Sequence, residues 1–398
     1  MLMHSRRVMR ALSAASALLA LGACSEAPPP AADREPVPGA GITVFTGSRL
    51  IVGDGTVIDN ATFTVGADNR FGLVGATGAV TVPAGAATVD LVGLTVMPAI
   101  VDTHVHLSRE RDALTTDLKR RAYFGVGAAM SLGQDDGDAI RAMRREAIPG
   151  AALYRTAGRG FTAPEPGRSE VPYWVTTADE ARAGVREQAA LGVDIIKVWV
   201  DDRMGQYPKL SPEIYGAVID EAHRNGLRAT AHEYYLADAK GLVRAGIDAF
   251  AHGVREEIDD ELVAMLKERP EFVLVPNLPD RGVVQDMSWL SAHLPADQVA
   301  QLQAASADRP EAQAFFGIQA RNLARLSREG VKIALGTDGN IPWNAHLEMA
   351  DMVATGMTPA EVIVASTSNA AEFMRLADAG TVASGKSADF IVLEANPL

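Results

Sequence analysis

The sequence predicts an α/β protein: a (β/α)8 TIM barrel with a small β-sandwich module built from its N- and C-terminal segments. Three observations carry that expectation. Eight short apolar runs alternate with helix-like segments between residues 96 and 335, the rhythm of a parallel sheet with crossover helices. Short β-like runs broken by Gly and Asp precede them, and one more β-like run follows. No Gly-X-Gly-X-X-Gly stands after the first run, which counts against the dinucleotide-binding form of the alternative architecture, an open doubly wound sheet.

Taken in order, residues 1–23 have the layout of a secretory signal. Arg6, Arg7 and Arg10 precede an apolar stretch over 11–23, too short for a permanent membrane helix of about 20 residues. Ser5-Arg6-Arg7 fits a twin-arginine signal and a simple basic n-region equally well. The stretch ends in Leu21-Gly-Ala-Cys24, which resembles the lipobox of bacterial lipoproteins. Cys24 is then the lipidation site, and the protein an exported, membrane-anchored lipoprotein facing the periplasm or the cell exterior. A plain secreted protein with an incidental cysteine is the alternative. Cys24 is the one cysteine in the chain, so no internal disulfide can form. Residues 24–40 carry Ala27-Pro-Pro-Pro30 and Pro36-Val-Pro38, which cannot build a core and read as an extended tether.

Residues 41–96 form the first part of the β module. Ile42-Thr-Val-Phe45, Ala61-Thr-Phe-Thr-Val65 and Phe71-Gly-Leu-Val74 are strand-like, and Gly53-Asp-Gly55 is a turn signal. The barrel region, 97–378, follows. Its strands are read at 96–101, 125–132, 152–157, 192–198, 227–231, 247–251, 272–276 and 331–335. Residues 177–191 and 212–224 show 3.6-residue apolar spacing, and Ser211 before Pro212 and Glu213 caps the second of these. Helical patterns return at 347–355 and 359–376. Ala388-Asp-Phe-Ile-Val-Leu393 is again β-like, so 379–398 completes the module begun at 41–96.

Composition bounds the function. With 47% hydrophobic and 22% charged residues in 398, the chain can bury a large core. Its formal net charge of −13 argues against nucleic acid as a partner. The acids and bases are interspersed, so they describe a solvated surface rather than a tail. The expected partner is a small molecule; a homo-oligomer is left open.

The chemistry lies at strand ends. His104 and His106 follow the first run in Met97-Pro-Ala-Ile-Val-Asp-Thr-His-Val-His106. Side chains i and i+2 leave a strand on the same side, so the two imidazoles can share one ion. Lys197 lies within strand four, His232 ends strand five, His252 ends strand six and Asp338 ends strand eight. A single strand-end histidine is usually core or surface, Asp338-Gly339 alone would pass for a turn, and a lysine in an apolar strand could snorkel. Yet the chain has only eight histidines, and four of them end strands. In a barrel all strand ends of one polarity meet on one face, and imidazoles with a carboxylate suit zinc.

These residues, together with Ile196-Lys197, His252-Gly253, Gly336-Thr-Asp338, Thr367-Ser-Asn-Ala-Ala371 and Gly385-Lys-Ser-Ala-Asp-Phe-Ile-Val-Leu393, resemble the amidohydrolase superfamily. The tail motifs are similar to its imidazolonepropionase-like and prolidase-like branch. The resemblance implies a centre of two divalent metal ions, usually zinc. His104, His106 and Asp338 would hold one ion and His232 and His252 the other, with Lys197, N-carboxylated by CO2, bridging both. It implies hydrolysis of an amide (C–N) bond by a metal-bridging hydroxide, with Asp338 as catalytic proton shuttle, on small peptides or N-acyl amino acids. A lactone or organophosphate hydrolase, a mononuclear deaminase, or a non-catalytic surface-binding protein are the alternatives on this fold. No Gly-X-Ser-X-Gly is present to suggest a serine nucleophile. Arg159, Trp199, Tyr234 and Asn277 lie just past strand ends and are the expected substrate contacts, Arg159 as the partner of a substrate carboxylate. The loop after strand three lacks the Gly-Gly-His that many relatives carry.

Overall fold

A hairpin opens the described part of the chain, residues 41–398 of this computed structural model. The signal, Cys24 and the tether lie outside the described residues. β1 (Thr43–Ile51) turns through Gly53 and Gly55, both at positive φ, into β2 (Val57–Val65). β3 (Phe71–Ala76), β4 (Ala87–Asp90) and β5 (Thr95–Pro98) follow, and β6 (Ile100–Val105) begins two residues later. The apolar run expected as one strand at 96–101 is therefore two. The cause lies at its middle: Ala99 N–H donates to Asp389 O, whereas Ile100 N–H donates to Gly125 O. The chain changes sheets between these two residues.

The central region contains β7 (Val126–Ser131), β8 (Leu153–Thr156), β9 (Phe161–Thr162), β10 (Tyr173–Trp174), β11 (Ile196–Val200), β12 (Ala229–Glu233), β13 (Ala249–Phe250), β14 (Val273–Leu274) and β15 (Lys332–Ile333). Two all-parallel sheets result, a three-stranded β6-β7-β8 and a seven-stranded β10-β9-β11-β12-β13-β14-β15. They touch at both ends. Asp194 N–H, entering β11, donates to Thr156 O of β8 at 2.9 Å; Thr103 N–H of β6 donates to Leu335 O at 3.0 Å. Val105 and Gly339 form a further parallel bridge.

Alternate residues of these strands enter two different cores. Val198, Val200, Ala229, Ala231, Phe250 and Leu274 pack outward against helix residues such as Val218, Leu242 and Leu262. Val101, Met130, Ala249, Ala251, Val273 and Val275 pack on the other face. Strands buried on both faces read as unbroken apolar runs, which is why they were visible in the sequence. The covering helices start where capping chemistry directs. Thr177 and Glu180 form a reciprocal capping box at Ala178–Leu191, and Ser211 caps Pro212–Arg224. The helix expected at 347–355 is Asn344–Ala354. The single helix expected at 359–376 is two, Pro359–Ser366 and Ser368–Phe373. They are broken at Thr367 (φ −127°, ψ −88°), whose hydroxyl donates to Ile363 O and Gly53 O.

The last strand, β16 (Phe390–Leu393), pairs antiparallel with β5 of the N-terminal module. It corrects the expectation of a sandwich: the strands form one six-stranded sheet in the order β16-β5-β1-β2-β3, with β4 also beside β1. The sheet rolls instead of stacking. Phe63 of β2 and Phe390 of β16 stand three strand steps apart, roughly 14 Å in a flat sheet, yet their rings are 5.3 Å apart. Phe45 and Phe71 complete the cluster. Bulges in the β1–β2 ladder supply the bend. Among the described residues no helix is long and apolar enough to cross a membrane.

Candidate metal centre

The C-terminal ends of the parallel strands gather the six residues singled out as ligands. His104, still inside β6, and His106, one residue past it, both turn Nε2 toward Asp338 Oδ1, at 3.2 and 3.0 Å. His252 Nε2 lies 3.7 Å from Asp338 Oδ2. Lys197 Nζ is 3.4 Å from His104 Nε2. The His232 ring lies 4.4 Å from that of His252. Donor atoms of His104, His252 and Asp338 fall within 4.8 Å of one another.

Backbone geometry aims the carboxylate. Asp338 has φ +49°, a left-handed conformation that costs a non-glycine residue about 1 kcal/mol or more and persists only when its surroundings impose it. Two bonds to one carbonyl impose it here: Thr337 N–H and Asp338 N–H both donate to His104 O, at 3.0 and 2.8 Å. Gly336 permits the approach, because a Cβ there would sit 2.8 Å from the His104 Cβ and 2.5 Å from Val275 Cγ1.

Beneath His104 lies a fully buried ion pair. Arg121 Nη1 donates to Asp102 Oδ2 at 3.1 Å and Arg121 Nη2 to Gly339 O at 2.8 Å. Thr337 Oγ1 donates to the same Asp102 oxygen at 2.8 Å. One charge pair therefore ties the last turn of the helix Arg111–Tyr123 to β6 and to the residues flanking Asp338. On the other side, His232 Nε2 lies 2.9 Å from Asp201 Oδ2 and 3.1 Å from Arg203 Nη1. A proton on Nε2 facing Asp201 would leave the Nδ1 lone pair of His232 for a ligand. Asp201 is itself held by Arg203, which also donates from Nε to Glu165 at 2.8 Å. For His104 the opposite nitrogen is engaged: Nδ1 faces Ala251 O at 3.0 Å, which leaves Nε2 for a ligand.

Burial sets the charge states. It pulls the Lys197 ammonium down to about 7, against the opposing pull of Asp338 and Glu233. Burial first, then the Lys197 charge, lowers His104 to about 4. His232 and His252 are lowered for the same leading reason. For Asp338 burial pushes upward, but His104, His106 and His252 outweigh it and hold the carboxyl well below the usual carboxylate range. Neutral imidazoles around an ionised carboxylate are the forms that bind divalent ions. Two buried nitrogens, His252 Nε2 and His106 Nδ1, have no hydrogen-bond partner among the described residues. Buried polar atoms are rarely left this way, and a cation facing His252 Nε2 would satisfy it. The donor set thus fits a divalent metal.

The expected substrate contacts divide. The Tyr234 ring lies 4.4 Å from that of His232. The Asn277 amide packs on His104 Nδ1 and the Ala251 carbonyl. The Trp199 ring stands 5.3 Å from Lys197 Nζ, wedged against Gly133 and Gly160, where any Cβ would collide with it. Arg159 is not brought to the cluster. Its Nε donates to Val171 O at 2.6 Å and its guanidinium lies 3.9 Å from the Tyr173 ring centre, so its polar edge serves its own loop.

The Amidohydrolase family profile matches residues 95–398. The chain belongs to the amidohydrolase family. Ochratoxinase of Aspergillus niger is 28% identical over 290 residues, covering 63% of this chain and 54% of that protein. The chain thus spans about half the length of this curated relative. Imidazolonepropionase of Shouchella clausii is 25% identical over 348 residues, 77% of this chain and 72% of its own. Among solved structures, a Bifidobacterium longum protein provisionally assigned as a prolidase superposes with a TM-score of 0.75 at 26% identity over 89% of each chain. The A. niger ochratoxinase structure superposes at 0.70 with 22% identity, over 89% of this chain and 90% of that one, a likeness of fold. These relatives agree with the superfamily resemblance carried by the strand-end motifs.

Asp102, Arg121, Asp201, Arg203 and Glu165 were not found from the sequence. Asp102 left a signal, since an acid inside an apolar strand must find a counter-charge. Asp201-Asp202-Arg203, standing just past a strand end, left another. For Glu165 no local signal existed.

Proposed function

We propose that this amidohydrolase-family protein is a metal-dependent hydrolase of amide bonds in small peptides or N-acyl amino acids. The parallel strands are read as one closed (β/α)8 barrel over 97–378, with the rolled sheet of 41–96 and 379–398 as a second domain. The contacts at both seams, Thr103 to Leu335 and Asp194 to Thr156, support closure. The observation that carries the functional reading is the convergence of His104, His106 and His252 on the two oxygens of Asp338, with Lys197 against His104.

In this reading His104, His106 and Asp338 would hold one divalent ion, zinc by donor chemistry, and His232 and His252 would hold a second. Bound ions of this kind supply Lewis acidity, which polarises a carbonyl and acidifies water to a pKa of about 7. The chain's own groups do the rest. Burial leaves a neutral fraction of the Lys197 amine near pH 7. Its nitrogen adds to the carbon of CO2 and releases a proton, giving an anionic carbamate. A costly buried cation would thereby become an anionic oxygen ligand. Asp338, ionised and about 37% exposed at its side chain, accepts a proton from attacking water and delivers it to the leaving nitrogen. Without that proton an amide nitrogen is a poor leaving group. Asp201 and the Ala251 carbonyl hold the His232 and His104 rings in the tautomers this requires.

The test is reconstitution with zinc in bicarbonate, metal counting, and a hydrolysis screen of dipeptides and N-acyl amino acids. The expected result is two ions per chain and turnover of part of the set. Lys197→Met should lower the count to one or fewer and activity by more than about 100-fold, beyond the 10–100-fold typical of an outer partner. Full activity with one ion refutes the two-metal reading. Fully loaded protein inert across the set refutes amide hydrolysis.

A further inference from the structure

Beside the metal centre lies a cation with no anion. Arg255 follows His252 by three residues, and its backbone N–H donates to Tyr234 O at 2.9 Å. Its guanidinium carbon lies over the Tyr234 ring, 2.9 Å from the centre, with the Phe315 ring centre 5.4 Å away. Aromatic neighbours occupy the faces of a guanidinium and leave its in-plane N–H groups free. Among the described residues Arg255 makes no ion pair and no side-chain hydrogen bond. Every other half-buried or buried arginine does one or the other: Arg203 is taken by Asp201 and Glu165, Arg228 by carbonyls, Arg159 by Val171 O.

Acids are not scarce. The chain has 50 against 37 basic residues, so a half-buried arginine left without one is a choice of position. Burial lowers its pKa, and Tyr234, Asp201 and Asp338 are close enough to pull the other way. Those two carboxylates are already claimed, Asp201 by Arg203 and His232, Asp338 by the histidines. Desolvating a guanidinium without an acceptor is unfavourable. The cost is recovered when a ligand brings the carboxylate.

We propose that Arg255 is the anion subsite, and that the substrate carries a free carboxylate on the amino acid released from the scissile bond. The inference rests on the amide-hydrolase reading above. The scale agrees. One residue step spans about 3.8 Å, and Arg255 lies one aromatic ring beyond His252, whose ring is 5.8 Å from that of Tyr234. A scissile carbonyl at the histidines therefore puts the carboxylate of the same N-acyl amino acid, or of a dipeptide's C-terminal residue, in reach of a bidentate pair with Arg255. Carboxamides, ureas and lactones have no such group.

The experiment uses zinc-loaded full-length protein and matched pairs: N-acetyl derivatives of L-alanine, L-leucine, L-phenylalanine and L-proline, each as free acid and as carboxamide. The wild type should favour the acid by about 100-fold in kcat/KM, the scale of one desolvated charge-assisted pair. In Arg255→Met that ratio should fall toward unity, and Arg255→Lys should recover about 10-fold of it. Calorimetric binding of the same pairs reads the subsite without turnover, and the acid preference should be present in the wild type and lost in Arg255→Met. Hydrolysis with no acid preference overturns the subsite and leaves the amide-hydrolase reading intact. Acid-selective binding with no hydrolysis supports the subsite and counts against that reading. No acid-selective binding by the wild type, or an undiminished preference in Arg255→Met, overturns the subsite.

Discussion

Truncating Arg121 tests how the centre is supported. Arg121 has no exposure and is the counter-charge of Asp102, equally buried. In Arg121→Met the thioether fills most of the vacated volume, so the loss is mainly electrostatic. Two bonds disappear, the 3.1 Å pair with Asp102 and the 2.8 Å bond to Gly339 O. A charge-assisted bond contributes roughly 1.5–3 kcal/mol, and a carbonyl left unsatisfied costs about 1–3. Asp102 keeps only Thr337 Oγ1 and the 3.4 Å contact from His104 N–H. Together these agree with the ~3–5 kcal/mol found when one member of a buried pair is removed. The assay is equilibrium urea unfolding followed by tryptophan fluorescence, comparing wild type, Arg121→Met, and Arg121→Met with Asp102→Asn. The single variant should lose about 3–5 kcal/mol, and the double variant should recover about half, because it no longer buries a naked carboxylate. A single-variant loss below about 1 kcal/mol, or a double variant no better than the single, refutes the reasoning.

Two further outcomes are expected. In EDTA-treated protein, the contribution of His104 to stability should be whole above pH 6.5 and be lost steadily as pH falls toward 4. The folded chain holds His104 near 4 while the unfolded chain takes up a proton near 6.5, so acid favours unfolding, by roughly 3 kcal/mol for this group. A thermal midpoint that does not move between pH 6.5 and 5 contradicts this. Asp201→Ala should weaken zinc binding by about 10–100-fold while His104 and His106 still bind. Competition against a chromophoric chelator measures it, and an unchanged affinity would remove Asp201 from the ligand support.

The parallel strands β7, β11 and β12 were legible because both their faces are buried, so they stand out as mainly apolar runs that the polar site residues interrupt. Pro212–Arg224 was legible because Ser211 and Pro212 mark its start chemically. The strands β9 and β10 were not: two residues each, they carry no periodicity, and only the neighbouring ladders make them strands. The change of sheet at Ala99 and the break at Thr367 were hidden for a related reason, since each is set by partners hundreds of residues away. Within the site, the histidines announced themselves by ending apolar runs. Arg121 did not, because nothing local marks which helix residue will meet Asp102. Arg159 and Arg255 are equivalent as text, each just past a strand end. Only packing shows that one is satisfied by its own loop and the other by no group of the described chain.

The rolled sheet also constrains the order of assembly. One edge of β5 is closed by β16, and Arg70 reaches Asp378 across 308 positions. Loop-closure entropy of that span must be met before the pairing rewards it. During synthesis β5 therefore waits with a bare edge, open to pairing with another nascent chain, until the whole parallel region has emerged. Slow early folding and aggregation should be governed by this aromatic-lined hairpin module rather than by the residues that perform the chemistry.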